Sequence, residues 1–281
     1  MNVKALNTPL SELGEGIYID KKLCILYWVD INKSILYQYD IKADQLVKTF
    51  YLVDNPSCIL SASYDSLIYV DRTGVKRLDL KGGAVTVLST HPFHNSELFR
   101  ANDGTLLSDG GLLYGTMSFI PENSPGKIYY RDCYGITSSY ELGIHIPNTF
   151  TQIGNNILIS DSLKKCIYAL EITSLQDGIV ELKEWKDLST FEYTPDGGCL
   201  SYKGNLHIAL WNGAAVAIFN KHGEMLKLIK VPVLKPTNCE IYNNRWLYVT
   251  SAREGMTAAQ LKQYPLSGNT LVVDLGDNYE Y

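Results

Sequence analysis

A strand–turn–strand pattern recurs six times along this chain, and that recurrence limits the fold more than any other feature. The first copy is Leu26-Tyr27-Trp28-Val29-Asp30, a short polar turn, then Ile35-Leu36-Tyr37-Gln38-Tyr39-Asp40. Later copies begin at Leu67-Ile68-Tyr69, Leu112-Leu113-Tyr114, Ile157-Leu158-Ile159, Leu206-His207-Ile208 and Trp246-Leu247-Tyr248. With Tyr27, Ile68, Leu113, Leu158, His207 and Tyr248 as markers, the steps are 41, 45, 45, 49 and 41 residues. A period of about 40–50 residues with several short strands per unit is the sequence signature of propeller blades. Helix-pair solenoids share the period, but the alternation here is that of strands, and 20 tyrosines suit a half-buried pleated surface. The reading is all-β: one six-bladed β-propeller domain over residues 1–281, with a central metal-binding channel. Val3-Lys4-Ala5-Leu6 and Thr270-Leu271-Val272-Val273 are placed to share the last blade and close the ring, which would leave no strand edge unpaired.

The first strand of each propeller blade lines the channel, so the window some 10–12 residues before each marker selects the residues facing the axis. Those windows contain Glu15, Ser57, Asn102, Asn148, Asp196 and Thr237 with Asn238. A carboxylate from unit one, a carboxamide from unit four and a carboxylate from unit five would point to one axis. Hard oxygen donors of this kind suit Ca²⁺, Mg²⁺ or Mn²⁺. Two buried carboxylates facing each other without a cation would be costly. Asn-Asp-Gly and Pro-Asp-Gly are equally the residues of ordinary tight turns, so the spacing leaves a metal site and plain turns both open.

Composition narrows the partners. The formal net charge is −5, the wrong sign for a nucleic-acid or anionic-membrane footprint. Neither a signal-peptide core nor a run of about 20 apolar residues is present, so the expectation is a cytoplasmic protein, monomeric or a weak homo-oligomer, acting on a small molecule. The six cysteines are dispersed with no C-x-x-C pair, which reads as buried thiols rather than a disulfide framework.

Taken together, Leu13-Gly14-Glu15-Gly16, Arg100-Ala101-Asn102-Asp103-Gly104, Gly115-Thr116-Met117, Ile146-Pro147-Asn148, Ser160-Asp161-Ser162, Pro195-Asp196-Gly197 and Tyr248-Val249-Thr250-Ser251-Ala252-Arg253 follow one another in a familiar order. The chain resembles the SMP-30/gluconolactonase/luciferin-regenerating-enzyme family (regucalcin-like) over nearly its whole length. The resemblance implies a metal-dependent lactonase of the gluconolactonase type, with Glu15, Asn148 and Asp196 as metal ligands and Asp196 also as general base. It implies that Arg100 and Asn102 bind the lactone, and that the cofactor is one divalent ion, Ca²⁺ ahead of Zn²⁺, Mn²⁺ or Mg²⁺. The alternative it carries is a calcium-binding, regulatory propeller of the regucalcin type that performs no turnover. The departures fall on the substrate side. Leu107-Ser108-Asp109-Gly110-Gly111 replaces the family's Asp-Pro-x-Gly-Arg, and Ser118-Phe119-Ile120 stands where acidic residues are usual.

Three further features receive plainer readings. His91-Pro92-Phe93-His94 reads as a surface turn rather than a metal pair, and His207 as a packing residue with its hydrogen bonds met. The segment from Ser118 to Gly126 reads as a loop over the channel mouth, a candidate substrate lid.

Overall fold

Each repeat folds into one four-stranded antiparallel sheet in the computed structural model, which describes residues 2–91, 97–277 and 279–281. Blade 1 comprises Gly14–Asp20, Ile25–Asp30, Ile35–Asp40 and Gln45–Tyr51. Blade 2 comprises Cys58–Ala62, Ser66–Val70, Gly74–Asp79 and Val85–Thr90. Blade 3 runs Phe99–Leu106, Leu112–Ser118, Ile128–Arg131 and Thr137–Tyr140. Blade 4 runs Pro147–Ile153, Asn156–Asp161, Cys166–Glu171 and Lys183–Asp187. Blade 5 is Thr194–Leu200, Leu206–Trp211, Ala215–Phe219 and Met225–Lys230. Blade 6 takes Lys235–Tyr242, Trp246–Ala252 and Leu271–Asp274, and its outer strand is the N-terminal Asn2–Ala5. The six-bladed, all-β propeller expected from the repeat is therefore what these residues form. The shared last blade is also present: Val3 pairs with Val273 and Ala5 with Leu271.

The chain forms two compact units of three blades each. Residues 1–53 and 192–281 build the unit of blades 5, 6 and 1, and residues 54–191 build that of blades 2, 3 and 4. Within each unit the apolar faces of adjacent sheets close on one another. Ile218, Val249, Leu271 and Val273 join blades 5 and 6, and Leu113, Tyr130, Phe150 and Ile159 join blades 3 and 4. These are aromatic, leucine and β-branched side chains, which together present one continuous apolar face per sheet.

Two buried aspartates secure the ends of second strands, each accepting from several backbone N–H groups. Asp30 accepts from Glu12 (2.8 Å) and Leu13 (3.2 Å), and Asp161 from His145 (2.9 Å), Ile146 (3.2 Å) and Leu163 (3.1 Å). Both thereby tie the chain entering a first strand to the end of the second strand. Among the described residues no cysteine forms a disulfide; five are buried and Cys133 is exposed. No described helix is long and apolar enough to cross a membrane.

The surface-turn reading of His91 needs correction. His91 is buried, its Nε2 lies 3.0 Å from the Asp71 carbonyl, its Nδ1 lies 3.3 Å from the Tyr114 hydroxyl, and its ring packs against Tyr114 and Tyr129. Pro92, Phe93 and His94 lie outside the described residues. His207 matches its expectation: fully buried, it is bonded to the Asn205 carbonyl and the Tyr279 hydroxyl.

Candidate functional site

Every first strand carries a β-bulge, and the expected site residues stand at it. In blade 1 the register slips between Glu15 and Tyr18, in blade 3 between Ala101 and Gly104, and in blade 4 between Asn148 and Thr151. Blade 5 slips between Pro195 and Gly198, blade 6 between Pro236 and Cys239, and blade 2 between Ile59 and Ser61. A bulge inserts one extra residue, bends the strand and re-aims a side chain, which is why bulges gather beside active sites. The Asn-Asp-Gly and Pro-Asp-Gly segments are thus bulges inside strands, not turns.

The candidates do not all occupy the same position relative to the bulge. Glu15 and Asn148 are the last paired residues before their bulges, whereas Asn102 and Asp196 are the first residues inside theirs. The registers explain the slip: the residues paired just beyond the bulge are Tyr114, Ile208 and Val249, each one position after the markers Leu113, His207 and Tyr248. The two pre-bulge candidates share a second feature. The residue after each is left-handed, Gly16 at φ 56° and Thr149 at φ 59°. Glycine takes that conformation without cost, but a β-branched threonine there is strained.

In the unit of blades 2–4 the structure joins three expected residues into one hydrogen-bonded run. Arg100 Nη1 donates to Asn102 Oδ1 (2.6 Å), and Asn102 Nδ2 donates to both Asn148 Oδ1 (2.9 Å) and the Pro147 carbonyl (2.9 Å). Asn148 Nδ2 in turn donates to Ser162 Oγ (2.8 Å). The amide nitrogen of Asn148 is therefore engaged, and its oxygen keeps a lone pair beyond the one Asn102 uses. Asp103, which sequence reasoning passed over as a turn residue, is buried and accepts from the backbone of Gly104 (2.8 Å) and Thr149 (3.0 Å). Burial pushes its carboxyl up to about 6, against the pull of its backbone donors, which include the Phe150 N–H.

The unit of blades 5, 6 and 1 holds the two carboxylates. Glu15 and Asp196 lie on first strands that both pack against the first strand of blade 6, and both are buried. Glu15 Oε2 accepts from the Gly16 N–H (3.1 Å). From blade 6, Thr237 Oγ1 donates to the Gly14 carbonyl (2.5 Å), and Asn238 Oδ1 accepts from the Cys239 N–H (2.8 Å). Thr237 and Ser162 bond to the site strands at Gly14 and Asn148; Thr237 and Asn238 had a sequence signal in their window and Ser162 one in the Ser160-Asp161-Ser162 motif, whereas Thr149 had none.

The donors fit a hard divalent cation. They are two carboxylates and a carboxamide oxygen, each on a buried residue, and this is oxygen chemistry of the Ca²⁺, Mg²⁺ or Mn²⁺ kind. Among the described residues no group of three or more His, Cys, Asp or Glu side chains gathers, and the expected set does not call for one. The segment read as a lid begins at Ser118, the last residue of the second strand of blade 3, beside Met117, which pairs with Arg100. Its Phe119 and Ile120 are exposed.

Comparison with known proteins bears on the family and the fold. The sequence pattern described as "SMP-30/Gluconolactonase/LRE-like region" matches residues 13–253. The L-arabinolactonase of Azospirillum brasilense is 26% identical over 275 residues, covering 92% of this chain and 87% of that protein. Regucalcin of Bos taurus is 28% identical over 271 residues, covering 91% and 88% respectively. A crystal structure of a calcium-binding protein, regucalcin from Agrobacterium tumefaciens strain C58, superposes with a TM-score of 0.87 at 22% identity, over 96% of this chain and 92% of that one. At that identity the likeness shows the fold.

Proposed function

This chain belongs to the SMP-30/gluconolactonase/LRE-like family, and on that footing we propose that it is a divalent-metal-dependent hydrolase that opens a sugar-lactone ring. The observation that carries the reading is the run Arg100–Asn102–Asn148. It couples a cationic side chain and a carboxamide, both able to hold hydroxyl groups, to a candidate ligand oxygen. Mere ion storage needs neither the arginine nor the second asparagine. The lactonase relative of similar length supports the same reading.

Glu15, Asn148 and Asp196 are the residues that would hold the ion in the central channel, Ca²⁺ ahead of Zn²⁺, Mn²⁺ or Mg²⁺. Bound there, the cation supplies Lewis-acid polarisation of the lactone carbonyl. Asp196 takes a proton from the attacking water and returns it to the ring oxygen as the C–O bond breaks. Arg100 and Asn102 hold the sugar hydroxyls and fix the carbonyl for attack, which lowers the entropic part of the barrier.

The test is acid release at constant pH from aldonolactones, non-sugar lactones and simple esters, with EDTA and then with each divalent ion restored. We expect lactone turnover that EDTA abolishes and a divalent ion restores. Asp196→Asn should lower kcat by about 10²–10⁴-fold, the worth of a positioned base, in a variant of native melting temperature. Full turnover in EDTA, or an Asp196→Asn variant as fast as the native chain, would defeat the mechanism. Tight Ca²⁺ binding with no turnover of any substrate would favour the regulatory alternative.

A further inference from the structure

Blades 3 and 6 each place two polar residues inside the first-strand bulge, and the two pairs act alike up to a point. The first residue, Asn102 or Thr237, donates to the carbonyl of the residue preceding a candidate ligand, Pro147 or Gly14. The second, Asp103 or Asn238, accepts from the N–H of the residue after it, Gly104 or Cys239. Asn238 shows that a carboxamide suffices for that second bond. Asp103 does one thing more: its other oxygen crosses to blade 4 and accepts from the Thr149 N–H at 3.0 Å.

Thr149 follows Asn148 directly, is fully buried and sits at φ 59°. A threonine stays in that strained conformation only when its surroundings over-determine it. Its hydroxyl contacts Ser160 Oγ at 3.2 Å, and its N–H is held by Asp103. Relaxation of Thr149 would rotate the peptide that follows Asn148, and with it the side chain whose oxygen faces Asn102. We propose that Asp103 is a positioning residue that clamps the left-handed Thr149 and so fixes Asn148 Oδ1 in the orientation the metal and the lactone require. The carboxylate is held at a cost, since burial disfavours its charge, and a group kept only for stability would not need that charge. The inference rests on the proposed role of Asn148, but its structural half can be tested without it.

The decisive variant is Asp103→Asn, which keeps an acceptor for Gly104, as Asn238 keeps one for Cys239, and loses the acceptor for Thr149. Three readouts apply to the full chain: backbone amide exchange over residues 147–151, Ca²⁺ affinity by calorimetry, and kcat and KM on a lactone. We expect exchange at Thr149 and Phe150 to quicken by tenfold or more, Ca²⁺ affinity to fall about tenfold, and kcat to fall more than KM rises, while the melting temperature stays at or above the native value. Adding Thr149→Gly should restore at least threefold of the lost affinity, because glycine holds that φ without a clamp. Unchanged exchange and affinity in Asp103→Asn would overturn the proposal, and so would strictly additive losses in the double variant. If the native chain neither binds Ca²⁺ nor turns over lactone, the proposed function falls, and amide exchange alone then decides whether Asp103 clamps Thr149.

Discussion

Replacing Gly197 with alanine tests whether the bulge beside Asp196 has any room. A Cβ at Gly197 would lie 2.2 Å from Asn238 Cγ, 2.3 Å from its Nδ2 and 2.6 Å from its Oδ1. Contact between such atoms is favourable only near 3.5–4.0 Å, so the carboxamide or the bulge must move by more than 1 Å. Asn238 is buried and its Oδ1 caps the Cys239 N–H. Turning it aside leaves that donor unmet, at about 1–3 kcal/mol, beyond an overpacking cost of about 1–3 kcal/mol. Gly197→Ala should therefore destabilise by about 2–6 kcal/mol, and a chain of this size loses roughly 2–4 °C of melting temperature per kcal/mol. Asn238→Ala alone should cost only the lost cap, about 1–3 kcal/mol. In the double variant the clash is gone, so its stability should match Asn238→Ala alone, giving a coupling as large as the whole Gly197→Ala loss, about 2–6 kcal/mol, and of opposite sign to the single losses. Urea denaturation of the four proteins measures this cycle. Additive losses, or a Gly197→Ala protein as stable as the native one, would refute the steric argument.

Acid sensitivity should separate two buried groups of opposite sign. Burial lowers the pKa of His207 to about 4 from 6.5, so its contribution is present above pH 6.5 and is lost as pH falls toward 4, about 3 kcal/mol in all. Burial raises the carboxyl of Asp103 to about 6 from 3.8, so stability is regained as pH falls through that window, by a similar amount. The two largely cancel in the native chain; melting curves from pH 7 to 4 should fall more steeply in Asp103→Asn and more gently in His207→Gln. At the end of the second strand of blade 4, Asp161→Ala would strand the N–H groups of His145, Ile146 and Leu163, for a loss of about 3–5 kcal/mol in urea denaturation.

How far the sequence reaches depends on what each residue is asked to do. The sheets were legible because alternating apolar residues declare a strand wherever one face is buried, and the sharing of the last blade by the two terminal segments followed from the need to close an edge. The placement of Glu15, Asn102, Asn148 and Asp196 on first strands was legible too, since the repeat carries them. Their depth was not. The hairpins between first and second strands differ in length, from Thr151 to Leu158 in blade 4 and from Gly198 to Ile208 in blade 5. Counting back from the second strand therefore slips by a residue, and one residue is enough to turn a side chain to the other face. Nor could the bulges be read, because Asn-Asp-Gly looks the same in a turn and in a bulge. Thr149 was unreadable for a deeper reason: nothing in a threonine advertises a left-handed backbone, which the neighbouring carboxylate imposes from another blade.

The two seams, blade 3 to blade 4 and blade 6 to blade 1, are built on one plan but end differently, and the difference points to where recognition is located. Thr237 has a single hydroxyl hydrogen, for the Gly14 carbonyl and Thr250 Oγ1 together. Asn102 has two amide hydrogens, so it can hold the Pro147 carbonyl and still reach Asn148 Oδ1, while its oxygen accepts from Arg100. Replacing a hydroxyl by a carboxamide at this bulge position thus turns a purely structural tie into a chain that ends on a cation. The strained partner tracks the same division: blade 1 uses glycine after Glu15, which needs no clamp, and blade 4 uses threonine after Asn148, which does. The strained threonine, the buried Asp103 carboxylate that holds it and the Arg100–Asn102–Asn148 run all fall on the blade 3–4 seam. On the proposed function that concentration has a reason, because a site that orients a lactone needs a fixed polar run beside its ligands, which ion storage alone does not.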